Sequence, residues 1–236
     1  MAPKSTPPSR LHSTFRRKLI AWFERSGRDL PWRRTRNPYQ VLVSEIMLQQ
    51  TQVPRVTGYY ARFLETFPTV HHLARARPAR VREAWDGLGY YRRAANLHRL
   101  AREVVGQHAG KLPDDPAALE RLPGIGRYTA GAVACFAYEK AVPLVDTNVA
   151  RVLRRAFHPR LPKNGRGHRK LWETAMALQR RPGRSAWTFN QALMELGAVV
   201  CTARVALCGK CPVAGQCITG KKEAGLRRQM SGGNQV

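Results

Sequence analysis

Acidic residues are scarce in this 236-residue sequence, which has 15 Asp and Glu against 41 Lys and Arg. The formal net charge at pH 7 is therefore +26. An excess of positive charge on this scale predicts a polyanionic partner, and nucleic acid is the commonest one. The composition thus favours a nucleic-acid-binding protein over one that binds cationic or neutral ligands.

Long apolar runs are also missing, since no stretch approaches the ~18 residues that a membrane-spanning helix needs. The first residues, MAPKSTPPSRLHSTFRRKL, lack the apolar core of a secretory signal. We therefore expect no membrane association and a cytoplasmic, nucleoid-associated protein. Basic, structureless tails are expected at residues 1–10, which contain three prolines, and at residues 219–236.

No segment shows the period-two alternation of a β-strand, and no internal repeat is visible. Apolar residues instead recur at helical spacing, for example at Phe15, Leu19 and Phe23. The pattern predicts an all-α fold, with helices that include residues 11–25, 39–48, 56–67, 92–105 and 187–200. The Pro-, Gly- and Arg-rich stretch 158–167 is predicted to be an exposed loop.

The segment Leu122–Val152 combines two features that suit work on DNA. Gly124, Gly126 and Arg127 form a tight glycine turn before a helix, where free backbone N–H groups favour a phosphate. Twenty residues later Asp146 is a lone carboxylate in the apolar run VPLVDTNV. It suits a catalytic role, or alternatively a simple N-cap of the helix that follows.

Glu45 is a second carboxylate among apolar residues, in YQVLVSEIML. Such a group is costly to bury unless it is paired or protonated, so a functional acid and a structurally paired carboxylate both remain open. Gln49 and Gln50 follow in a polar stripe at the predicted helix end, which suits base-edge contacts or plain solvation. Tyr90, after two glycines, suits either a wedge between base steps or core packing.

Four of the five cysteines occur within 17 residues, as Cys-x6-Cys-x2-Cys-x5-Cys. This crowding favours a metal site over disulfides in a chain of this length. Spacing alone leaves zinc and a 4Fe–4S cluster equally open. The four residues are Cys201, Cys208, Cys211 and Cys217.

In their joint order these motifs resemble the helix–hairpin–helix DNA glycosylase superfamily, and in particular the MutY-type adenine DNA glycosylases. The resemblance extends from about Leu30 to Cys217. Besides the cysteines, its motifs are LPWR (Leu30–Arg33), SEIMLQQTQV (Ser44–Val53), GLGYYRRA (Gly87–Ala94), LPGIGRYTAG (Leu122–Gly131), VDTNVARV (Val145–Val152) and FNQALMELGA (Phe189–Ala198).

The resemblance implies a two-lobed all-α fold, a six-helix barrel (residues 31–146) bearing the hairpin and an iron–sulfur cluster lobe (residues 11–30 with 147–218). It also implies a 4Fe–4S cluster on the four cysteines and double-stranded DNA as the partner of a monomer. Glu45 would protonate adenine N7, Asp146 would stabilise the oxocarbenium-like sugar, and Tyr128 would assist it. By the same resemblance Gln50 and Tyr90 would wedge into the duplex, whereas Trp32, Arg33 and Glu195 would line the adenine pocket.

The implied activity is removal of adenine mispaired with 8-oxoguanine or guanine. Bifunctional relatives have a Schiff-base Lys where this sequence has Tyr128, so a monofunctional enzyme is expected. Only 19 residues follow Cys217, which matches a short form without the C-terminal domain that reads 8-oxoguanine in this family. A thymine or uracil mismatch glycosylase is the alternative enzyme, and a non-catalytic lesion-binding protein is the alternative from another class.

Overall fold

The computed structural model describes residues 10–179 and 183–223. Within these residues the fold is helical, and the only β pairing is an isolated bridge between Cys201 and Ala206. This confirms the predicted all-α class. The predicted basic tails fall largely outside the described residues, although Arg10 begins the first helix and residues 219–223 are helical.

The chain divides into a continuous unit, Asp29–Lys140, and a discontinuous unit, which joins Met1–Arg28 to Ala141–Val236. The division based on the sequence assigned residues 29–30 to the discontinuous unit and residues 141–146 to the continuous unit. The structure assigns each of these ranges to the other unit. Asp146 therefore lies in the discontinuous unit together with the helix that it caps.

The continuous unit begins with a short 3-10 turn, Pro31–Arg33, and then contains seven α-helices. Pro residues in the first turn of several of these helices set their starts, because Pro has no N–H to leave unpaired there. Helix α2 packs against α3, α6 and α8, and α4 packs against α6. The seven helices are α2 (Pro38–Leu48), α3 (Val53–Thr66), α4 (Val70–Arg75), α5 (Pro78–Ala84), α6 (Arg92–Gln107), α7 (Pro116–Glu120) and α8 (Arg127–Tyr138).

The discontinuous unit contains four long helices around one apolar core. Phe15 and Leu19 of the first helix meet Phe189 and Leu193 of the last in that core. The four are α1 (Arg10–Ser26), α9 (Thr147–Phe157), α10 (Gly165–Leu178) and α11 (Arg184–Val199). Two short 3-10 turns, Cys208–Lys210 and Ala214–Gln216, follow in the cysteine segment.

The prediction of a loop over residues 158–167 is wrong at its end, because α10 begins at Gly165. The side chain of Asn164 accepts a hydrogen bond from the Gly167 N–H at 3.1 Å. Such an N-cap starts a helix in a glycine- and arginine-rich stretch that has little helical propensity of its own. Across the described residues, no helix combines the length and apolarity needed to cross a membrane.

Candidate DNA-processing site

Glu45 lies in the continuous unit on α2, a helix with apolar residues on every face. The Asn37 side chain caps this helix by accepting hydrogen bonds from the N–H groups of Tyr39 and Gln40, at 3.0 and 3.3 Å. Glu45 is 5% exposed, so water has little access to its carboxyl group. The prediction that Glu45 is buried on an apolar helix is therefore confirmed.

Helix α2 packs against α8, the helix that carries Tyr128 in its first turn. At the ends of the two helices the Gln49 amide donates to Thr129 Oγ1 at 3.4 Å. Tyr128 is half-buried in this region. The fold thus places two of the three predicted catalytic side chains, those of Glu45 and Tyr128, on helices that are direct neighbours.

The glycine turn joins α7 to α8, as the sequence predicted. Gly124 has φ +77°, and a side chain there would meet Asn96 Cβ at 2.8 Å, so both backbone conformation and space require glycine. Gly126 is the N-cap of α8 and provides no side-chain cap. The start of α8 carries the positive end of its helix dipole, which favours an anion next to the exposed Gly126 and Arg127.

Gln50 and Tyr90 both adopt left-handed backbone conformations, with φ +56° and +49°. Gln50 is exposed and lies in the turn between α2 and α3, just after the predicted helix 39–48. Tyr90 is 59% exposed, and the neighbouring Tyr91, 38% exposed, donates its hydroxyl hydrogen to Asp86 at 2.7 Å. Of the two alternatives raised for Tyr90, its exposure favours display over core packing.

Trp32 and Arg33 lie in the short 3-10 turn that precedes α2. Trp32 is 6% exposed and stacks edge-on against Tyr60, with ring centroids 5.6 Å apart. Burial raises the pKa of Tyr60 to about 12. Trp32 is therefore a core residue of the continuous unit, and its predicted place in an adenine pocket stays a prediction.

Asp146 lies in the discontinuous unit as the N-cap of α9. Its Oδ1 accepts a hydrogen bond from the Val149 N–H at 2.6 Å, and its Oδ2 accepts one from the Asn148 amide at 3.2 Å. The carboxylate is half-buried and stands where the helix dipole favours negative charge. The capping alternative raised from the sequence is confirmed, and it leaves a catalytic role open.

Arg151, one turn further along α9, extends this network toward the cysteine segment. Its guanidinium donates to Asn148 Oδ1 at 2.7 Å, to the Gly197 carbonyl at 2.7 Å and to the Cys201 carbonyl at 2.8 Å. Asn148 is thereby oriented toward Asp146. The position of the aspartate is thus linked through two side chains to the start of the cysteine segment.

The four cysteines of the predicted metal site line one small cavity. Arg155, in the last turn of α9, donates to Cys201 Sγ at 3.3 Å and to the Thr202 carbonyl at 2.7 Å. Burial raises the pKa of the Cys211 thiol to about 11. A bound metal reverses that preference, because metal coordination deprotonates a thiol.

Four thiols that share one cavity suit a metal centre, and both a zinc ion and a 4Fe–4S cluster accept four thiolates. Among the residues that the structure describes, no three His, Cys, Asp or Glu side chains are grouped to hold one metal ion. The choice of a 4Fe–4S cluster over zinc therefore stays a prediction.

Glu195 is 1% exposed on α11, and its carboxylate is engaged by Arg28 of the same unit. Arg28 Nε donates to Oε1 at 2.7 Å and Nη2 donates to Oε2 at 3.0 Å, which is the bidentate geometry of a strong ion pair. Its backbone N–H also donates to Oε1, at 3.2 Å. A role of Glu195 in substrate binding stays a prediction.

Sequence reasoning missed the arginines that organise these groups, because nothing local distinguishes them among 41 basic residues. Arg28, Arg151 and Arg155 each bind partners that are 46 or more residues away in the chain. The one available signal was position, since Arg151 follows Asp146 by five residues and so lies on the first turns of the capped helix.

Comparison with known proteins agrees with these observations. Residues 43–175, more than half of the chain, match the HhH-GPD superfamily of base excision DNA repair proteins. The chain is 47% identical over 217 residues to the adenine DNA glycosylase of Mycobacterium tuberculosis, which covers 89% of this chain and 68% of that protein. It is 44% identical over 217 residues to the adenine DNA glycosylase of Homo sapiens, which covers 87% of this chain and 39% of that protein.

Among solved structures, that of a thermostable thymine-DNA glycosylase superposes with a TM-score of 0.82. The superposition covers 90% of this chain and 97% of that one, at 31% sequence identity. Helical architecture, glycine hairpin and capped aspartate thus coincide with sequence similarity over most of the chain. The chain belongs to the HhH-GPD superfamily of base excision DNA repair proteins.

Proposed function

We propose that this protein is a monofunctional DNA glycosylase that removes adenine mispaired with 8-oxoguanine or guanine. The observation that carries the proposal is the 47% identity, over 89% of the chain, to a protein named adenine DNA glycosylase. The net charge of +26 agrees with a duplex DNA substrate. We place the protein on nucleoid DNA as a monomer, since one chain contains all the proposed reactive groups.

Glu45 is the proton donor in this proposal. Cleavage of an N-glycosidic bond is easier when the departing base is protonated, and adenine N7 is the atom that accepts the proton. A carboxyl group that is 5% exposed on a helix is shielded from water, which keeps proton transfer between acid and base direct. Rigid placement on α2 holds the acid in one position while the extruded base approaches it.

Asp146 stabilises the positive charge that develops on the deoxyribose as the base departs. Glycosidic cleavage passes through an oxocarbenium-like state, and a nearby carboxylate lowers its energy. The hydrogen bonds from Val149 and Asn148 hold both oxygens of the carboxylate in one orientation. Because this geometry exists before the substrate binds, no reorganisation is needed during the reaction.

Tyr128 accounts for the absence of lyase chemistry. Strand cleavage by a glycosylase requires an amine that forms a Schiff base with the sugar, and a phenol cannot form one. We expect borohydride to trap almost no covalent complex with an abasic product. Strong trapping would show that another amine of the chain acts as a nucleophile.

Removal of thymine or uracil from mismatches is the second candidate. It is favoured by the TM-score of 0.82 with a structure described as a thermostable thymine-DNA glycosylase. Similarity in fold alone does not determine which base is removed, because the base pocket is formed by a few side chains. The higher identity to adenine DNA glycosylases favours adenine.

One assay separates the candidates. Duplexes containing A:8-oxoguanine, A:G, T:G or U:G are incubated with excess protein, and abasic sites are then cleaved with alkali. We expect cleavage only at adenine. Cleavage confined to T:G and U:G would establish the second candidate, and cleavage of none of the four duplexes would favour a non-catalytic lesion-binding protein.

We further propose that Cys201, Cys208, Cys211 and Cys217 hold a 4Fe–4S cluster. The four thiols line one shared cavity, and the spacing Cys-x6-Cys-x2-Cys-x5-Cys is the one for which the family resemblance implies a 4Fe–4S cluster. When bound, the cluster supplies four Fe–S bonds that close the cysteine segment. Arg155 and Arg151 of α9 donate hydrogen bonds to the same cysteine segment. The folded segment therefore also supports α9, the helix that Asp146 caps.

Metal analysis tests this assignment independently of activity. Protein purified without oxygen should contain about four irons per chain and absorb visible light as iron–sulfur clusters do. Cys211→Ser should lower the iron content, whereas Cys135→Ser, outside the group, should not. One zinc and no iron per chain would refute the cluster.

A further inference from the structure

Arg93 is a buried cation whose role the proposed chemistry does not account for. It lies in the first turn of α6 and is 8% exposed. Its Nη1 donates to the carbonyls of Ile46 and Met47, at 3.0 and 2.9 Å, and to that of Gln49. These carbonyls belong to the C-terminal end of α2, where helix geometry leaves acceptors without intrahelical partners.

The other nitrogen of the same guanidinium contacts two further segments. Nη2 donates to Thr51 Oγ1 and to the Gly89 carbonyl, both at 3.1 Å. Trp85 Nε1 donates to the same Gly89 carbonyl at 3.1 Å, and its ring lies 5.5 Å from the guanidinium carbon. One side chain thus joins the end of α2, the turn after it and the glycine loop before α6.

These contacts flank Gln50 and Tyr90, two of the four non-glycine residues of the continuous unit that have positive φ. The anchors at Gln49 and Thr51 lie on either side of Gln50, and the anchor at Gly89 immediately precedes Tyr90. The Tyr90 ring itself lies 5.3 Å from the guanidinium carbon. Left-handed conformations are unfavourable for residues other than glycine, and contacts from neighbouring groups such as these help to maintain them.

We propose that Arg93 is a positioning residue that holds Gln50 and Tyr90 together as one rigid wedge for the duplex. The inference rests on the proposed glycosylase function, because only an enzyme that extrudes a base needs such a wedge. An exposed aromatic side chain on a basic protein suits insertion between base pairs. Unstacking a base costs free energy, which the insertion of a mobile tyrosine would offset poorly.

The same guanidinium links the wedge to the acid. Glu45 directly precedes Ile46 and Met47 on α2. The carbonyls that accept hydrogen bonds from Arg93 therefore belong to the helical turn immediately after the proposed proton donor. Insertion of the wedge and placement of the proton donor therefore share one rigid anchor. Lysine cannot replace it fully, since an ammonium lacks the planar fork that reaches separate acceptors with two nitrogens.

The test measures base extrusion directly. Arg93→Met and Arg93→Lys are combined with Glu45→Gln, which blocks cleavage, and mixed with a duplex that carries 2-aminopurine next to the mispaired adenine. We expect the Glu45→Gln protein that retains Arg93 to raise the 2-aminopurine fluorescence when it binds. Adding Arg93→Met should abolish most of this rise while the duplex Kd changes about threefold or less. Arg93→Lys should retain part of the rise. Arg102→Met, an exposed arginine on the same helix, is the matched control.

The cleaving forms give the second readout. With Glu45 restored, Arg93→Met should cut adenine from a mispair about 100-fold more slowly in single turnover, as expected for misplaced reacting groups. Circular dichroism identifies folded variants, and Arg93→Lys carries the test if the methionine variant does not fold. A full fluorescence rise in a folded Arg93 variant would overturn the proposal. The proposed function itself would be overturned if, with Arg93 intact, the Glu45→Gln form does not extrude adenine and the wild-type protein does not release it.

Discussion

Asp146 offers a decisive experiment because its capping and catalytic roles respond differently to two substitutions. Asn accepts a hydrogen bond at an N-cap about as well as Asp, whereas Ala cannot accept one. Asp146→Asn should therefore keep the bond to the Val149 N–H, now 2.6 Å, but lose the charge and the oxygen that accepts from the Asn148 amide. Asp146→Ala loses the bond to the Val149 N–H as well.

The magnitudes follow from these contacts. Loss of a negative charge at a helix N-terminus costs about 0.3–1 kcal/mol of unfolding free energy. Loss of the cap costs about 1 kcal/mol more. For a chain of this size we expect the Tm of Asp146→Ala to lie about 2–4 °C below that of Asp146→Asn.

Activity should not follow stability. Both variants lose the carboxylate that we propose stabilises the developing sugar cation, and removing one such electrostatic stabiliser slows a reaction at least ~100-fold. Thermal unfolding and single-turnover adenine release, measured on the same preparations, separate the two effects. If Asp146→Asn cleaves at the wild-type rate, the residue is only a cap. If it unfolds together with Asp146→Ala, the capping geometry is wrong.

Three further predictions concern the other groups. Glu45→Gln should abolish adenine release in single turnover and leave the duplex Kd within about threefold, since it removes an interaction made only in the transition state; a large loss of binding would refute its role as acid. Arg28→Met should destabilise the fold by about 3–5 kcal/mol in urea unfolding, because Glu195 would remain buried without its partner; the double variant with Glu195→Leu should recover much of the loss. Gly124→Ala should weaken duplex binding in a fluorescence anisotropy titration, since φ +77° and the contact with Asn96 exclude a side chain; unchanged affinity would remove the hairpin from the DNA interface.

Features with a local cause were predictable from the sequence. The burial of Glu45 followed from its apolar neighbours, and the capping by Asp146 followed from a helix that starts directly after it. The same holds for the glycine requirement at Gly124. Local signals failed where one capping residue started a helix although its neighbours have low helical propensity. Asn164, which starts α10 inside a predicted loop, is such a case.

Contacts between distant segments were not predictable. Gln50 follows the predicted helix 39–48, but only the structure shows its left-handed turn, whose neighbours are held by Arg93, more than 40 residues later. The engagement of Glu195 by Arg28 likewise spans 167 residues. Each depends on two chain segments that meet only after the helices pack.

The sequence by itself determined most of the helices, the cap at Asp146, the glycine turn before α8 and the positive charge that suits a polyanionic partner, because backbone geometry, side-chain periodicity and net charge act over a few residues or over the whole composition. Only the tertiary structure decided which basic residues leave the surface. A guanidinium such as that of Arg93 is stable in the interior only when several acceptors surround it. Those acceptors come from α2, the turn after it and the loop before α6, and packing alone brings them together.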